Sequence, residues 1–367
     1  MSIGKVDPTA SNLDHHLTIP GNRVIDLDVP QHLGPTKLIN PDRLHARTIF
    51  VRPISSTAVS LTVVGSIAFD SVKTPFGERE RMLGGTAVHF SLAASFFTEV
   101  RPVGPVGEDF GAAEFEVLER RGVITDDVEQ VEGGRSFFWR GRYEYDLNVA
   151  HTEDTQLNVF GEFEPKLSDA SKAADTLFLA NIQPDLQRQV RAQCPEARFC
   201  ALDTMNLWID TARDSLLAAI AEVDCVIVND AEIRQLTGES NLARAARAVM
   251  EHGPRAVVAK QGEYGAALFT EEGFFALPGF PLEDVRDPTG AGDSFAGGFL
   301  GYLDSHDGGL DEANLRRAMG YGTVLASFNV EEFGTERVSR LSREEIDERF
   351  ETLRAMTQFE PLPAPAE

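Results

Sequence analysis

The chain has 367 residues, 42% of them hydrophobic and 25% charged, with a formal net charge of −24. That length accommodates one large α/β domain or two smaller ones, each with a sizeable core. The charge opposes binding to nucleic acid or to an anionic membrane surface, and no run of about 18 or more apolar residues is present to span a bilayer.

Residues 1–57 hold prolines at 8, 20, 30, 35, 41 and 53 and no sustained period, so an extended or disordered N-terminal extension is expected there. Order begins with "AVSLTVVGSIAFDSV" (58–72), whose β-branched run ending in Gly65 reads as a buried strand. "GGTAVHFSLAASFF" (84–97) leads from small residues into an apolar helical pattern. "VRPVGPVG" (100–107) is a second strand, and residues 108–123 form an amphipathic helix stopped by Gly122.

Residues 135–163 are rich in aromatic and β-branched residues and alternate over short stretches, as in "FWRGRYEY". Antiparallel strands outside the main layer are expected there. Strand and helix then alternate. Strands are predicted over 176–182, 198–204, 224–230 and 255–262, with helices between them. Continuous apolar strands separated by helices predict a mostly parallel sheet covered on both faces.

Cys194, Cys200 and Cys225 lack the spacing of a zinc site or a disulfide framework. They are expected to be core or surface thiols in a cytoplasmic protein. The amino terminus has no basic segment followed by an apolar one, which agrees with that location. Only six of the 34 basic residues are lysines. Such a surface suits a high-salt cytosol, where screening relieves self-repulsion.

The stretch "DPTGAGDSFAGG" (287–298) places an acid, Asp293, where glycines meet the start of a helical pattern. The blandest reading makes Asp293 a helix cap. A P-loop is excluded, because no GKS or GKT follows. A dinucleotide fingerprint is disfavoured, because Phe295 stands where the third glycine belongs. The remaining reading is an anion hole. The N–H groups of Gly290, Ala291 and Gly292 would converge with the positive end of the following helix. A carboxylate beside such a hole would repel a bound phosphate. Its presence makes sense if it accepts a proton from a hydroxyl attacking the phosphoryl group.

"DPTGAGDSFAGGFLGYL" resembles the C-terminal signature of the ribokinase family, the PfkB carbohydrate kinases. The resemblance covers residues 58–355, leaving 356–367 as a tail. It implies a three-layer α/β/α fold with a small β-strand lid from segments 66–82 and 135–163. It implies ATP-dependent phosphorylation of a sugar or polyol hydroxyl, with a nucleoside as the alternative acceptor. A catalytically silent sugar- or nucleotide-binding regulator is the reading from another class. In the family's manner Asp293 would be the general base and Gly290, Ala291 and Gly292 the anion hole.

Other motifs follow in the family's order. "VVGSIAFD" resembles the opening strand whose final acid, Asp70, holds substrate hydroxyls. "GGTAVHFSLAA" is similar to the double-glycine motif at the sugar site, with Gly84 and Gly85. Thr86 stands where the family commonly has Asn. "NDAE" matches the motif in which Asn229 and Glu232 help hold Mg²⁺ through water and place the nucleotide. "KQGEYGA" resembles the glycine turn at the ATP site, with Gly262 and Gly265. "ASFNVEEFGT" (326–335) resembles the segment beside the adenine. The resemblance also suggests a monovalent cation such as K⁺ near Asp287 and Thr289, a small-molecule acceptor, and a lid that pairs in a homodimer.

Plainer readings stand beside several of these. "NDAE" is also a capping box in all but its first residue type. Asp70 is also an ordinary strand-end acid. Arg140 and Arg142 could meet a substrate phosphate or sit on a solvated strand face. His89 and His151 carry no ligand spacing. Phe137, Phe138, Trp139, Tyr143 and Tyr145 could stack on a base or form the lid's own core, and the core is the simpler assignment.

Overall fold

The computed structural model describes residues 60–306 and 311–360. The expectations for residues 1–57, and for the tail beyond 360, lie outside the described residues.

Nine strands build the larger sheet: β1 (Ser60–Val64), β4 (Glu99–Gly107), β5 (Val128–Val131), β8 (Thr176–Leu179), β9 (Phe199–Asp203), β10 (Cys225–Asn229), β11 (Ala256–Lys260), β12 (Ala266–Thr270) and β13 (Phe274–Leu277). Their order is β13-β12-β11-β10-β9-β8-β1-β4-β5. All neighbours run parallel from β11 to β5, while β12 and β13 add an antiparallel edge.

Successive residues of the central strands point into two different cores. Leu177 and Leu179 face one side and Phe178 the other; Val226 and Val228 oppose Cys225 and Ile227. Both faces are therefore apolar, which is why these strands read as continuous runs in the sequence. Helices Thr86–Ala94, Ala291–Asp304 and Glu312–Asn329 cover one face. Helices Pro184–Gln193, Arg213–Ile220, Asp230–Thr237 and Leu242–Met250 cover the other. The result is the three-layer α/β arrangement with a small additional sheet that the resemblance implies. Cys194, Cys200 and Cys225 are buried free thiols. Among the described residues no helix is long and apolar enough to cross a membrane.

The smaller sheet contains β2 (Ala68–Thr74), β3 (Gly77–Gly84), β6 (Phe137–Tyr143) and β7 (Ala150–Gln156), in the order β3-β2-β6-β7. The apolar run 58–72 thus serves both sheets. It leaves the large sheet after Val64 and joins the small one at Ala68.

Several elements were not read from the sequence. Among them are β5, the β12–β13 edge, the helix Asn206–Thr211, and the helices Glu312–Asn329 and Arg343–Met356. The helix Glu312–Asn329 is covered on most sides. It packs on Ala291–Asp304 and contributes Val324, Leu325 and Phe328 to a third cluster with Leu341, Ile346 and Leu353. A helix buried this way has no clean polar face to betray its period.

Candidate active site

The C-terminal ends of parallel strands leave a crevice where ligands bind in open α/β sheets. Asp203 ends β9, Asn229 ends β10 and Lys260 ends β11, so one edge of the sheet gathers three polar side chains.

The glycine loop sits above this edge. Gly290 caps the helix Ala291–Asp304 with φ of 75°, a left-handed conformation that glycine adopts without strain. A methyl group there would also come within 2.4 Å of the His89 ring. The helix is seated just as closely. A Cβ on Gly297 would lie 2.3 Å from the Phe90 carbonyl oxygen, so the loop's position is set by backbone against backbone.

One donor is not where the sequence suggested. The Ala291 N–H donates to the Pro288 carbonyl (3.2 Å), closing the turn that launches the helix. Among the described residues no acceptor is recorded for the N–H groups of Gly290, Gly292 and Asp293. The free donors of the loop are therefore these three.

Asp293 lies in the first helical turn, partly open to the crevice but closely surrounded by protein. Desolvation pushes its pKa up, and the Lys260 ammonium opposes that shift. Asp70, on β2, is 6% exposed. Burial raises its pKa to about 7, the Gly85 N–H opposes this, and Asp287 and Asp293 add repulsion. Asp70, on the small sheet, and Asp293, at the start of its helix, are thus close enough to repel one another. Asp70 Oδ2 accepts a hydrogen bond from the Gly85 N–H (3.3 Å). A Cβ on Gly84 would fall 2.0 Å from the same oxygen, so the double glycine is what lets the acid lie against the backbone. Thr86 opens the helix Thr86–Ala94, and its N–H donates to Ser66 Oγ (3.2 Å).

Asp287 is fully buried. Its two oxygens accept from the N–H groups of Thr289 (2.9 Å) and Gly334 (3.0 Å). The Thr289 carbonyl accepts from Asn329 Nδ2 (2.7 Å). Of the acceptors around the suggested monovalent cation, the Asp287 carboxylate and the Thr289 carbonyl each already take hydrogen bonds within the protein. Thr289 Oγ1 donates to Tyr143 Oη (3.2 Å), which carries β6 onto the glycine loop. Asn329 Oδ1 accepts from Ser294 Oγ (2.9 Å) and pairs with His89 Nδ1 (3.0 Å). Burial lowers the His89 pKa, against the Asp287 charge and the bond to Asn329, which favour the protonated ring. His89 is a buried support behind Gly290.

On the nucleotide side, Asn229 and Glu232 form a complete capping box. Asn229 Oδ1 accepts from the Glu232 N–H (2.8 Å), and Glu232 Oε2 accepts from the Asn229 N–H (2.9 Å). The plainer reading of "NDAE" therefore holds as local structure. Burial pushes Glu232 up to about 7, with further repulsion from Asp203 and relief from Lys260. Asp203 is raised to about 6 by burial, against Lys260. Among the described residues no three acids or imidazoles are close enough to ligate an ion directly. A magnesium ion fits as one held through water beside Glu232 and Asp203, whose charges Lys260 alone does not balance. Gly262 and Gly265 turn β11 into β12 with positive φ, and the Asn148 amide oxygen from the β6–β7 loop lies against Gly262.

The candidate residues of the motifs therefore converge on one crevice. Arg140 and Arg142 do not enter it. They are half-exposed and pair with Glu80, Glu144 and Glu153. The Phe137 ring lies tilted against Phe160, which packs on the core of the large sheet, while Tyr145 is exposed beside Phe76. Only Tyr143 of the five lid aromatics is hydrogen-bonded to the glycine loop. Motif reading passed over Asp203 and Lys260. Their signal was available, since each is a charged residue ending an otherwise apolar strand pattern.

The profile of the pfkB family carbohydrate kinases matches residues 55–340. A cytidine kinase of Thermococcus kodakarensis is 28% identical over 248 residues, covering 66% of this chain and 87% of that protein. A nucleoside kinase of Methanothermobacter thermautotrophicus is 26% identical over 295 residues, covering 75% and 91%. The crystal structure of an adenosine kinase from Sinorhizobium meliloti matches with a TM-score of 0.69 at 16% identity, covering 81% of this chain and all of that one.

Proposed function

The chain belongs to the pfkB family of carbohydrate kinases, and from that premise we propose that it transfers the γ-phosphoryl group of ATP to a hydroxyl of a sugar or nucleoside. One observation carries the reading: Asp293 stands beside three free backbone N–H groups and across the crevice from Asp70. Similarity to a cytidine kinase and a nucleoside kinase over most of their lengths favours the nucleoside among the acceptors.

Asp70 orients the acceptor, with Gly84, Gly85 and Thr86 forming the floor beneath it. Asp293 accepts the proton of the attacking hydroxyl as that oxygen bonds to the γ-phosphorus. The bond from phosphorus to the β–γ bridging oxygen breaks, and ADP leaves. The N–H groups of Gly290, Gly292 and Asp293, at the positive end of their helix, stabilise the charge on the transferring group. The Gly262–Gly265 turn borders the nucleotide. Mg²⁺, when bound near Asn229 and Glu232, neutralises nucleotide phosphate charge. The small sheet acts as the lid that excludes water, so that ATP is not hydrolysed.

The test is ATP consumption by the purified protein with Mg²⁺ against a panel of nucleosides, sugars and polyols, with and without K⁺. Turnover with one acceptor class, absent when no acceptor is added, is the expected result. Nucleotide binding without turnover on any acceptor would overturn the kinase reading in favour of a silent binding protein.

A further inference from the structure

Lys260 has no role in the chemistry above, yet its surroundings are unusual. Its side chain is 17% exposed, at the end of β11. Its nearest ionic partner is Asp203 Oδ2 at 3.8 Å, too far for a hydrogen bond. Among the described residues no hydrogen bond from its ammonium is recorded. An ammonium carries three donors, and among the described residues the protein accepts none of them, although the nitrogen still reaches the crevice.

Two further facts say what these donors face. A Cβ on Gly292 would come 2.9 Å from Lys260 Nζ, so the ammonium abuts the glycine loop at one of its free N–H groups. Asp203, Glu232 and Asp293 all act on it. Burial alone would lower its pKa, but these three acids together hold it above the usual lysine value. The hydrogen-bonding capacity of the ammonium is thus unspent at the place where the free backbone donors converge.

We propose that Lys260 is a catalytic residue whose ammonium binds the γ-phosphoryl group during its transfer, with Asp203 as the positioning residue that holds it there. The inference rests on the kinase reading above. A phosphoryl group in transfer spreads negative charge over its equatorial oxygens, and a cation already placed beside the loop meets that charge with little reorganisation. A Cβ on Gly292 would push the ammonium away from the loop, so the glycine leaves room for it there.

The test compares wild type, Lys260→Met and Lys260→Cys with the acceptor that wild type turns over. MgADP affinity and the thermal midpoint are measured alongside. For Lys260→Met the expected result is a fall in kcat on the order of 10²–10³-fold, with the acceptor KM and MgADP affinity changed by less than about threefold. Alkylating folded Lys260→Cys with 2-bromoethylamine rebuilds an ammonium of nearly lysine length. The three native thiols are buried, which keeps the reaction selective. Recovery of at least about tenfold in kcat is expected, since the lost interaction is the ammonium itself. If Lys260→Met folds poorly because three acids are left unopposed, the double variant Lys260→Met/Asp203→Asn removes the pair together and should show the same loss of kcat.

An unchanged kcat overturns the proposal. So does alkylated Lys260→Cys, confirmed by mass, that stays as slow as its parent, or a loss of kcat matched by equal losses in MgADP binding and midpoint. Absence of turnover by wild type on every acceptor overturns the kinase reading itself, and the role of Lys260 with it.

Discussion

Along the helix Ala291–Asp304 every residue from Ser294 onward is buried, whereas every residue of β7 is exposed. The helix begins at the crevice, and β7 is the outer strand of the small sheet that brings Asp70 and Tyr143 to it. The helix is clamped by glycine contacts at backbone distance, and its neighbours form the main core. The small sheet is uneven: β2 is buried at every position but Lys73, whereas β7 and most of β3 are solvated. Its arginines pair with surface acids, and it touches the glycine loop through one recorded hydrogen bond, Thr289 to Tyr143. Charge stabilisation requires groups that do not move as charge develops. A cover must open for substrate to enter. On the proposed function the two sides divide the labour: the rigid side sets turnover and the solvated side sets acceptor affinity.

Changes on the rigid side should therefore cost most. Asp293→Asn should lower kcat by about 10²-fold or more while leaving MgATP affinity within about threefold, as steady-state kinetics and calorimetry would report. Unchanged turnover would remove Asp293 from the mechanism. Gly297→Val touches no reacting atom, but its branched side chain would press on the Phe90 carbonyl oxygen. A loss of roughly 1–3 kcal/mol or more is expected in denaturant titration. If stability is kept, the close seating of this helix is not what fixes the loop.

At the boundary between the two sides, Asp70 offers a pH test. Its pKa moves from 3.8 to about 7 on folding, chiefly through burial. Between those values the folded protein holds a proton that the unfolded chain has released. This contribution to stability is full below the unfolded value and is lost as pH rises through about 7. Asp70→Asn removes the group, so its thermal midpoint should exceed that of wild type near about pH 8 and converge with it near about pH 4. Parallel curves would mean that Asp70 is not shifted. The smallest effect is expected on the solvated side. Tyr143→Phe removes the hydroxyl that accepts from Thr289, worth about 0.5–1.5 kcal/mol. It should raise the acceptor KM several-fold and barely move kcat. A large fall in kcat instead would show that the lid also positions the reacting groups, and the division of labour would fail.

Much of this was legible in the chain. Strand–helix alternation predicted the covered parallel sheet, because a strand buried on both faces must be apolar at every position. The lid segment 135–163 stood out by its aromatic alternation and the glycine loop by an acid set against a helix start, while the segment 66–82 followed only from the family resemblance. Glycine motifs can be read because they report backbone needs that no other residue meets. What the sequence left unread shares a physical cause. The helix Glu312–Asn329 has no polar stripe because protein surrounds it on most sides. Asn329, 40 residues from Thr289, has no local feature that links it to the carbonyl it binds. Lys260 and Asp203 are single charged residues at strand ends, like many others in the chain. Their meaning comes from adjacency: parallel pairing sets Asn229 beside Lys260 and Ile227 beside Asp203. Local order and backbone requirements were determined by the sequence, since they depend on residues near one another in the chain. Which charges share one desolvated space was decided only by the tertiary structure, because that field is a sum over strands that meet only in the folded sheet.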